Sequence, residues 1–349
     1  MPRVFSAKSV SILLVVLMAF GCAGCATVRH PVPFDMISKA QVDNMSEIRF
    51  VPGAVDSELK RNALRSFQEE NKDDYPMDPD GRRVYSMLCI SGGAANGAYG
   101  AGLLKGWSEE GSRPKFKAVT GVSTGAITAP MAFLGKDYDC LAEQLYTTMA
   151  TKDVMKARGP IRALFGDSLA DNKPLEKQLE KYVTTDIVEK IAIEHKRGRR
   201  LYVGTAYLDA QRFVIWDMGA IAVRGDIDLF RKVILASAAI PMMFPPVIIN
   251  VQGGDKCYDE MHVDGGTITQ VFTLYKLFEG QEAVAKEMGL DPSKMKGRAY
   301  IIRNGYVDPG YKVVKDNLPS IAGQMFDTMI NAQGVGDTYR IYELSLIHI

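Results

Sequence analysis

The sequence predicts an α/β protein in which a mostly parallel central sheet is covered by helices on both faces. The run VYSMLCI (84–90) is continuously apolar over the length of a strand, as in strands buried on both faces. A glycine-rich loop and a helical pattern follow it. The same order of strand, glycine turn and helix then recurs from Phe116. Repeated units of this kind are typical of parallel sheets with crossover helices.

The two glycine-rich segments each follow a predicted strand. The first, SGGAANGAYGAG, begins at Ser91, and the second, GVSTG, spans 121–125. The carboxyl ends of the strands in such a sheet meet at one edge, where ligands bind. We therefore expect the two segments to lie side by side and to form one site.

The other elements follow from local patterns, taken along the chain. A polar helix is predicted over 56–70, and the helix after the first glycine loop ends at Gly111. AITAPMAFLG (126–135) is predicted as a helix, and Pro174 marks the start of another. DLFRKVILASAAIP reads as an apolar helix that stops at Pro241. The remaining predicted strands are LYVGTAYL, FVIWDM, PVIINV, CYDEMHVDGG and RAYIIRNG.

Bulk composition sets limits but does not indicate a function. A chain of 349 residues with 47% hydrophobic residues can bury a large core, in one large domain or two small ones. Its 42 basic and 41 acidic residues give a net charge of +1, so no global field favours nucleic acid. No cysteine and histidine cluster has zinc-like spacing. We therefore expect no zinc site, and the chemistry indicated by the motifs below implies no metal or cofactor.

The first 21 residues have the pattern of a secretory leader. Basic residues precede an apolar run from Val10 to Phe20 that is shorter than a membrane span, and small residues follow. A cysteine after small residues resembles the lipobox of bacterial lipoproteins, which implies lipidation at Cys22 or, alternatively, Cys25. An uncleaved anchor or an ordinary signal peptide are the other interpretations. Neither cysteine is followed by Asp, so the resemblance implies anchoring in the bacterial cell envelope, at the outer membrane.

The rest of the chain divides into three predicted parts. Residues 22–83 are expected to form a tether and an N-terminal lead-in, and residues 84–310 the catalytic domain. Residues 311–349 are expected to form a C-terminal helical tail. Its last six residues, LSLIHI, resemble a translated sequencing adapter, so the natural chain is expected to continue differently.

The segment HKRGRR (195–200) is a dense basic patch just before a predicted strand. Such a run is usually a solvated turn, and contact with anionic lipid headgroups is the alternative. The sequence leaves both interpretations open.

Reactive chemistry is indicated at Gly121-Val122-Ser123-Thr124-Gly125, which fits G-x-S-x-G between a strand and a helix. A strand that turns sharply into a helix brings backbone atoms close together two residues before and after the nucleophile. Any Cβ would clash there, which explains Gly121 and Gly125. Ser123 would stand at a helix N-terminus, where unpaired N–H groups favour a developing negative charge.

A nucleophilic serine needs a base, and histidine is scarce in this chain. The four histidines are His30, His195, His262 and His348. His262 shares a predicted strand face with Asp264; it either assists the reaction or is a structural residue, and we favour the structural role. HVDGG instead offers Asp264, held before Gly265 and Gly266 at the end of a strand. An ordinary Asp-Gly turn is the alternative. As a base, Asp264 would need its pKa of about 3.9 raised by burial.

Together these motifs resemble the patatin-like phospholipases. The resemblance rests on a glycine loop after a strand, GVSTG, ASAAIPMMFPPV and DGG, in this order, and covers about 84–305. It implies a three-layer fold and a Ser–Asp dyad without histidine, with Ser123 as nucleophile and Asp264 as base. It also implies an oxyanion hole of backbone N–H groups. That hole falls on the loop formed by Gly92, Gly93, Ala94, Ala95, Asn96 and Gly97.

Two positions depart from the family pattern. Ala94 stands where the loop usually has a glycine, which is tolerable if its φ is negative and costs about 1 kcal/mol or more if φ is positive. Asn96 stands where plant patatins carry a basic residue, so a fixed positive charge is missing. Backbone donors are unaffected by either change.

The resemblance implies a serine lipid acyl hydrolase of phospholipase A or lysophospholipase type. Its expected substrate is membrane phospholipid or lysophospholipid, reached by a lipid-anchored enzyme. Two alternatives remain: an envelope carboxylesterase or acyltransferase with the same dyad, and a non-catalytic lipid-binding surface lipoprotein.

Overall fold

The computed structural model describes residues 29–42, 45, 48–51, 56–148, 150–159, 167–274, 289, 291–308 and 310–346. The predicted leader, with Cys22 and Cys25, lies outside these ranges. Among the residues described, no helix has the length and apolar character needed to cross a bilayer.

The described residues form strands and helices in the following order of each type along the chain. The strands are β1 (Arg49–Phe50), β2 (Arg83–Ile90), β3 (Phe116–Val122), β4 (Lys156–Ala157), β5 (Ala170–Asp171), β6 (Arg200–Tyr207), β7 (Arg212–Asp217), β8 (Val247–Gly253), β9 (Lys256–Asp264) and β10 (Met295–Ile302). The α-helices are α1 (Asp56–Gln68), α2 (Gly97–Glu110), α3 (Thr124–Leu134), α4 (Asp139–Thr147), α5 (Thr151–Val154), α6 (Lys173–Tyr182), α7 (Thr185–Lys196), α8 (Met218–Val223), α9 (Ile227–Ser237) and α10 (Leu318–Leu346).

The main sheet has the strand order β1-β7-β6-β3-β2-β10, and β9 joins it beside β6 with β8 on its outer side. Strands β10, β2, β3 and β6 run parallel to one another. Strands β7 and β9 run antiparallel to β6, and β1 runs antiparallel to β7. The central strands β10, β2, β3 and β6 are therefore parallel, as predicted for strands connected through helices, and the antiparallel strands lie beside them.

Both faces of the sheet are covered, which explains why β2 is apolar without interruption. Leu88 and Ile90 point into the larger core, which helices α2 to α4 and α6 to α9 cover. Met87 and Cys89 point into the second core, which residues of the 268–274 segment and Ile341 of α10 cover. The predicted three-layer α/β fold is confirmed.

Part of the segment predicted as a tether is packed against this domain. Val32, Val42 and Ile48 are buried in the larger core, and β1 extends the sheet. The short strand was missed because two residues are too few for a visible alternation. These residues therefore belong to the folded core.

Candidate active site

Ser123 lies in the sharp turn between β3 and α3. Strand β3 ends at Val122, which pairs with Gly204 of β6, and helix α3 begins at Thr124. The backbone of Ser123 has φ +55° and ψ −124°, a conformation that non-glycine residues rarely adopt and that costs on the order of 1–3 kcal/mol. Such strain persists only where the surrounding structure enforces it, and it holds the serine at the helix N-terminus.

The two glycines of the turn are required by backbone contacts, as the sequence predicts. A Cβ on Gly121 would lie 2.5 Å from the carbonyl oxygen of Gly125. A Cβ on Gly125 would lie 2.3 Å from the carbonyl oxygen of Ile90, at the end of β2. Both obstacles are main-chain atoms that cannot rotate away, so the turn cannot accommodate side chains at these positions.

Sheet register brings Asp264 to this turn. Strand β6 pairs with β3 as far as Gly204, and its next residue, Thr205, pairs with Asp264 of β9. Strand β9 thus occupies the edge of β6 that β3 vacates when it turns at Ser123. A Cβ on Gly265 would lie 2.4 Å from the Gly204 carbonyl oxygen, so a glycine is needed there for β9 to end this close.

The Ser123 hydroxyl lies close enough to the Asp264 carboxylate to stabilise its charged form. Both residues are nearly inaccessible, with 6% and 5% of their surface exposed. Burial raises the pKa of Asp264 to about 7, although hydrogen bonds from Ser123 and from the N–H of Gly266, at 2.7 Å, lower it in part. A carboxylate with this pKa is a far better base at neutral pH than an ordinary aspartate.

The predicted glycine loop lies beside Ser123, and its N–H groups differ in their availability. The N–H of Gly92 donates to the Gln270 carbonyl, at 3.0 Å, and the N–H of Asn96 donates to Gly93. Within the described ranges, no acceptor binds the N–H groups of Gly93, Ala94 or Ala95. The donors open to an oxyanion are therefore those of residues 93–95, and not that of Gly92.

Close contacts fix the shape of this loop. A Cβ on Gly92 would lie 3.2 Å from Cβ of Ser123, and one on Gly93 would lie 1.7 Å from the carbonyl oxygen of Asn304. A Cβ on Gly97 would overlap the Thr124 hydroxyl. The loop therefore passes directly over the nucleophile turn.

The two departures from the family pattern have different consequences. Ala94 adopts a φ of +48°. Of the two cases that the sequence left open, the costly one therefore applies, and alanine here costs about 1 kcal/mol or more. Asn96 is exposed at the start of α2, and its side chain does not cap the helix.

Ser237, in the last turn of α9, supports the strained turn and was not assigned a role from the sequence. Its Oγ accepts a hydrogen bond from the N–H of Ser123, at 2.9 Å, and donates one to the Gly204 carbonyl, at 2.7 Å. Ser237 is fully buried. The motif ASAAIP contains this serine, but only the fold reveals what it contacts.

Asn304, just after β10, clamps the glycine loop and was also missed. Its side-chain amide donates to the Ser91 carbonyl, at 2.9 Å, and accepts from the N–H of Gly100, at 3.1 Å. Its own N–H donates to the Ser91 hydroxyl, at 2.8 Å. One side chain therefore fixes both ends of the loop. The only sequence signal was an Asn-Gly pair after a strand.

His262 belongs to a separate buried network. Its Nε2 lies 3.1 Å from Glu260, and its Nδ1 lies 2.9 Å from the Thr205 hydroxyl. Because the Trp216 N–H donates to that hydroxyl, the hydroxyl proton is directed to Nδ1 and the imidazole proton lies on Nε2. Burial lowers the pKa of His262, and Glu260 is also paired with Arg49. Both ring nitrogens are engaged, which favours the structural role.

Two of the four lysine and arginine residues in the basic patch are internal, and the other two, Lys196 and Arg197, are exposed. Arg199 is buried, donates to the carbonyls of Phe116 and Phe133, and pairs with Glu194 at 2.8 Å. Arg200 is also buried and donates to the side chain of Asn62, at 2.9 Å. These arginines join α1, α7 and the sheet, so they do not offer a surface to lipid headgroups.

The part of the chain that the structure describes contains no cluster of three or more histidine, cysteine or carboxylate residues that could hold a metal ion.

Comparison with known proteins identifies the family. The profile described as "Patatin-like phospholipase" matches residues 88–274, more than half of the chain. No curated protein matches the chain. The crystal structure of VipD from Legionella pneumophila is similar to 66% of this chain at 15% identity, with a TM-score of 0.38, and the match spans about half (52%) of that chain. The matched residues include the strained turn, the glycine loop and Asp264, and the chain belongs to the patatin-like phospholipase family.

Proposed function

We propose that this protein is a serine lipid acyl hydrolase of phospholipase A or lysophospholipase type. Family membership already implies a hydrolase that acts on lipid acyl esters. One observation carries the finer proposal. The hydroxyl of a strained, buried serine lies beside a carboxylate whose pKa is raised to about 7, and unpaired loop N–H groups lie next to them.

Acylation of the enzyme uses these three groups together. Ser123 Oγ attacks the carbonyl carbon of the ester while its proton passes to the Asp264 carboxylate. The carbonyl oxygen becomes an oxyanion and accepts hydrogen bonds from N–H groups of Gly93, Ala94 and Ala95. Collapse of this intermediate breaks the bond to the alcohol, which leaves with the proton from Asp264. The product is an acyl-serine.

Deacylation repeats the sequence with water as the nucleophile. Asp264 accepts a proton from water, whose oxygen attacks the acyl-serine carbonyl. Ser123 then leaves with that proton, and the fatty acid is released. Because one carboxylate serves as base and acid in both halves, a pKa near neutrality suits it to both tasks.

The substrate class remains part of the proposal. The family description supports a lipid ester, and we propose membrane phospholipid or lysophospholipid. We further propose that the enzyme is held in the bacterial envelope through a lipid on Cys22 or Cys25. An envelope carboxylesterase or acyltransferase would use the same dyad, so the substrate must be measured.

The test combines active-site labelling with product analysis. Wild-type protein, Ser123→Ala, Asp264→Asn and the control Ser293→Ala, an exposed serine, are treated with a fluorophosphonate probe. We expect labelling of wild type and the control, none of Ser123→Ala, and labelling of Asp264→Asn slowed about 10²- to 10⁴-fold. Fatty-acid release from phospholipid vesicles is then expected only from proteins that label.

Each other outcome selects a different function. Labelling with hydrolysis of a soluble short-chain ester but not of vesicles would favour the carboxylesterase. Acyl transfer to an added alcohol in preference to water would favour the acyltransferase. A folded wild-type protein that does not label would leave the non-catalytic lipid-binding lipoprotein as the better account.

A further inference from the structure

Asp337, a buried carboxylate on α10, contacts the segment that links the two halves of the candidate site. Helix α10 lies outside the residues matched to the family, which end at 274. Only 8% of the surface of Asp337 is exposed. Its Oδ2 accepts a hydrogen bond from the N–H of Gln270, at 2.7 Å. The carboxylate is therefore directed at the backbone of a segment 67 positions away in the chain.

Gln270 connects the glycine loop to the Asp-Gly-Gly turn. Its carbonyl accepts a hydrogen bond from the N–H of Gly92, at 3.0 Å, and its side-chain Nε2 donates to the Gly266 carbonyl, at 2.9 Å. A Cβ on Gly92 would lie 2.6 Å from Gln270 Oε1, and a Cβ on Gly266 would lie 2.4 Å from Gln270 Nε2. The buried side chain of Gln270 therefore lies against both segments.

Both contacts of Gln270 continue to groups that the proposed reaction uses. Gly92 directly precedes residues 93–95, whose N–H groups would hold the oxyanion. The N–H of Gly266 donates to Asp264 Oδ1, at 2.7 Å, and stabilises the charged form of that carboxylate. A displacement of Gln270 would therefore disturb the oxyanion donors and the pKa of the base together.

Packing of α10 holds Asp337 in place. Ile341, about one helical turn farther on, is buried in the second core, which also contains Phe272. Three residues before Asp337, a Cβ on Gly334 would lie 2.6 Å from a guanidinium nitrogen of Arg303. The helix is therefore packed closely on both sides of Asp337.

A buried carboxylate at this position costs more than a neutral hydrogen-bond acceptor would. Burial raises the pKa of Asp337, and the N–H groups of Gln270 and Val271 and the charges of Arg340 and Arg303 lower it in part. In return, a hydrogen bond to a charged acceptor is shorter and stronger than one to a neutral acceptor. Such a bond restricts its donor more tightly, which favours a role in holding Gln270.

We propose that Asp337 is a positioning residue for the candidate active site. It fixes the backbone of Gln270. Through Gln270, it aligns the oxyanion donors of the glycine loop and the Gly266 N–H that binds Asp264. The effect on activity rests on the proposed function, whereas the effect on the two segments can be measured without catalysis.

The test compares single variants of α10 with wild type. Asp337→Ala removes the acceptor, whereas Asp337→Asn keeps an oxygen acceptor in a side chain of nearly the same shape. Asp327→Ala is the matched control, because Asp327 is an exposed aspartate on the same helix. Ile341→Ala removes buried apolar surface from α10 but keeps the acceptor, so it shows what loss of stability alone does.

Hydrogen–deuterium exchange followed by mass spectrometry measures the two segments without catalysis. We expect Asp337→Ala to speed amide exchange in 88–97 and in 264–272 by roughly tenfold or more, because the bonds of the Gly92 and Gly266 N–H groups open more often. Asp327→Ala should leave exchange in both segments unchanged. Asp337→Asn should lie close to wild type.

Kinetics on a soluble short-chain ester measure the consequence for activity. For Asp337→Ala we expect kcat to fall about 10- to 100-fold with KM within about threefold of wild type, because aligned donors act mainly in the transition state. The midpoint of the pH profile of kcat/KM should rise by about half a pH unit or more, since the charged form of Asp264 is less stabilised. Asp337→Asn should recover most of both, and Ile341→Ala should leave the midpoint unchanged.

A second variant keeps the test informative if Asp337→Ala does not fold. Gln270→Met removes the side-chain bond to the Gly266 carbonyl and leaves Asp337 in place. We expect it to raise the midpoint of the pH profile in the same direction. An unchanged midpoint for folded Gln270→Met would overturn the proposed link to Asp264.

Two further results would overturn the proposal. One is unchanged amide exchange in both segments of folded Asp337→Ala. The other is an equal loss of kcat and an equal shift of the midpoint in Ile341→Ala, which would make Asp337 a stabilising residue only. A folded wild-type protein that hydrolyses no ester would instead contradict the proposed function, and amide exchange would still decide whether Asp337 fixes the two segments.

Discussion

At the scale of single residues, the chemistry of Asp264 depends on where the fold places it. The same side chain on the surface would be ionised at neutral pH and weakly basic. Here burial raises its pKa to about 7, while the Ser123 hydroxyl and the Gly266 N–H stabilise its charged form in part. At neutral pH the protonated and deprotonated forms of Asp264 are therefore similarly populated, which suits the proposed role as base and acid.

Activity should follow this ionisation. Because the proposed mechanism requires Asp264 to be deprotonated, we expect kcat/KM on a soluble ester to rise about tenfold per pH unit below neutrality. It should level off above a midpoint near pH 7. A stopped-time assay across pH 5 to 9 with constant ionic strength measures the profile. A midpoint near pH 4 would show that the working carboxylate is not this buried one.

Stability should show the opposite dependence. A carboxyl group whose pKa is raised by folding penalises the native state as pH rises from about 4 through 7, where the unfolded chain ionises more readily. We expect Asp264→Asn to be more stable than wild type at pH 8, by up to on the order of 3 to 4 kcal/mol, and equal to it near pH 4. Urea unfolding at the two pH values measures the difference, and a wild-type advantage at pH 8 would contradict it.

At the scale of elements, the strand–turn–helix unit works because two glycines remove Cβ atoms from main-chain contacts. A Gly125→Ala substitution would place a methyl group 2.3 Å from the Ile90 carbonyl oxygen. We expect a loss of at least about 2 kcal/mol in the free energy of unfolding. Gly102 in α2 is the matched control, because nothing lies within 4 Å of its Cβ position.

Gly102→Ala should stabilise the protein by up to about 1 kcal/mol through helix propensity. Urea denaturation monitored by circular dichroism measures both variants. Similar free energies of unfolding for Gly102→Ala and Gly125→Ala would mean that the backbone at the turn relaxes freely.

Asn304 connects two elements that the sequence separates by about two hundred residues. Asn304→Ala removes the donor to Ser91 and the acceptor for Gly100, so the loop N–H groups should lose their alignment. We expect kcat on a soluble ester to fall about 10- to 100-fold with little change in KM, because aligned donors act mainly in the transition state. The kcat of Asn304→Asp, which keeps the acceptor, should lie between those of wild type and Asn304→Ala.

The control for this prediction is Asn317→Ala, an exposed asparagine at the start of α10. Steady-state kinetics on folded protein, checked by circular dichroism, gives kcat and KM separately. An unchanged kcat for Asn304→Ala would remove its positioning role, and a change in KM alone would indicate a role in substrate binding instead.

At the scale of the whole molecule, one edge of β6 carries both members of the proposed dyad. Strand β3 occupies that edge as far as Gly204, and β9 occupies it from Thr205 onward. Two residues that lie 141 positions apart in the sequence thereby become neighbours. Strand β9 runs antiparallel along the residues of β6 that lie beyond Gly204, so its carboxyl end, at Asp264, reaches the point where β3 turns.

The buried hydrogen-bond network around His262 links β9 to β6 next to the proposed dyad. Because both its nitrogens are engaged by Glu260 and Thr205, we expect His262→Gln to lower the free energy of unfolding by roughly 2 to 4 kcal/mol. We expect kcat per folded molecule to remain within about twofold of wild type. Urea unfolding and fluorophosphonate active-site titration measure the two quantities. A loss of 10²-fold or more in kcat would instead assign His262 to the reaction.

Much of the fold was predictable because short apolar runs indicate strands and helices, and glycines indicate the turns between them. Strand β2, the turn around Ser123 and the helix that ends before Gly111 all lie where these patterns indicate. The basic patch could not be interpreted this way, since burial of Arg199 and Arg200 depends on carbonyls and on Asn62 from distant segments. The two-residue strand β1 carried no periodic signal.

By itself, the sequence determined which residues could react and why glycines surround them. Turn sterics select Ser123 as a candidate, and the shortage of histidine together with the family resemblance selects Asp264. Only the tertiary structure decided that these two side chains lie side by side, that Asp264 is buried away from water, and which loop N–H groups are left to donate to an oxyanion. It also assigned supporting roles to Ser237 and Asn304. The physical reason is that pKa and hydrogen-bond partners depend on distance and burial, which are properties of packing between segments far apart in the chain.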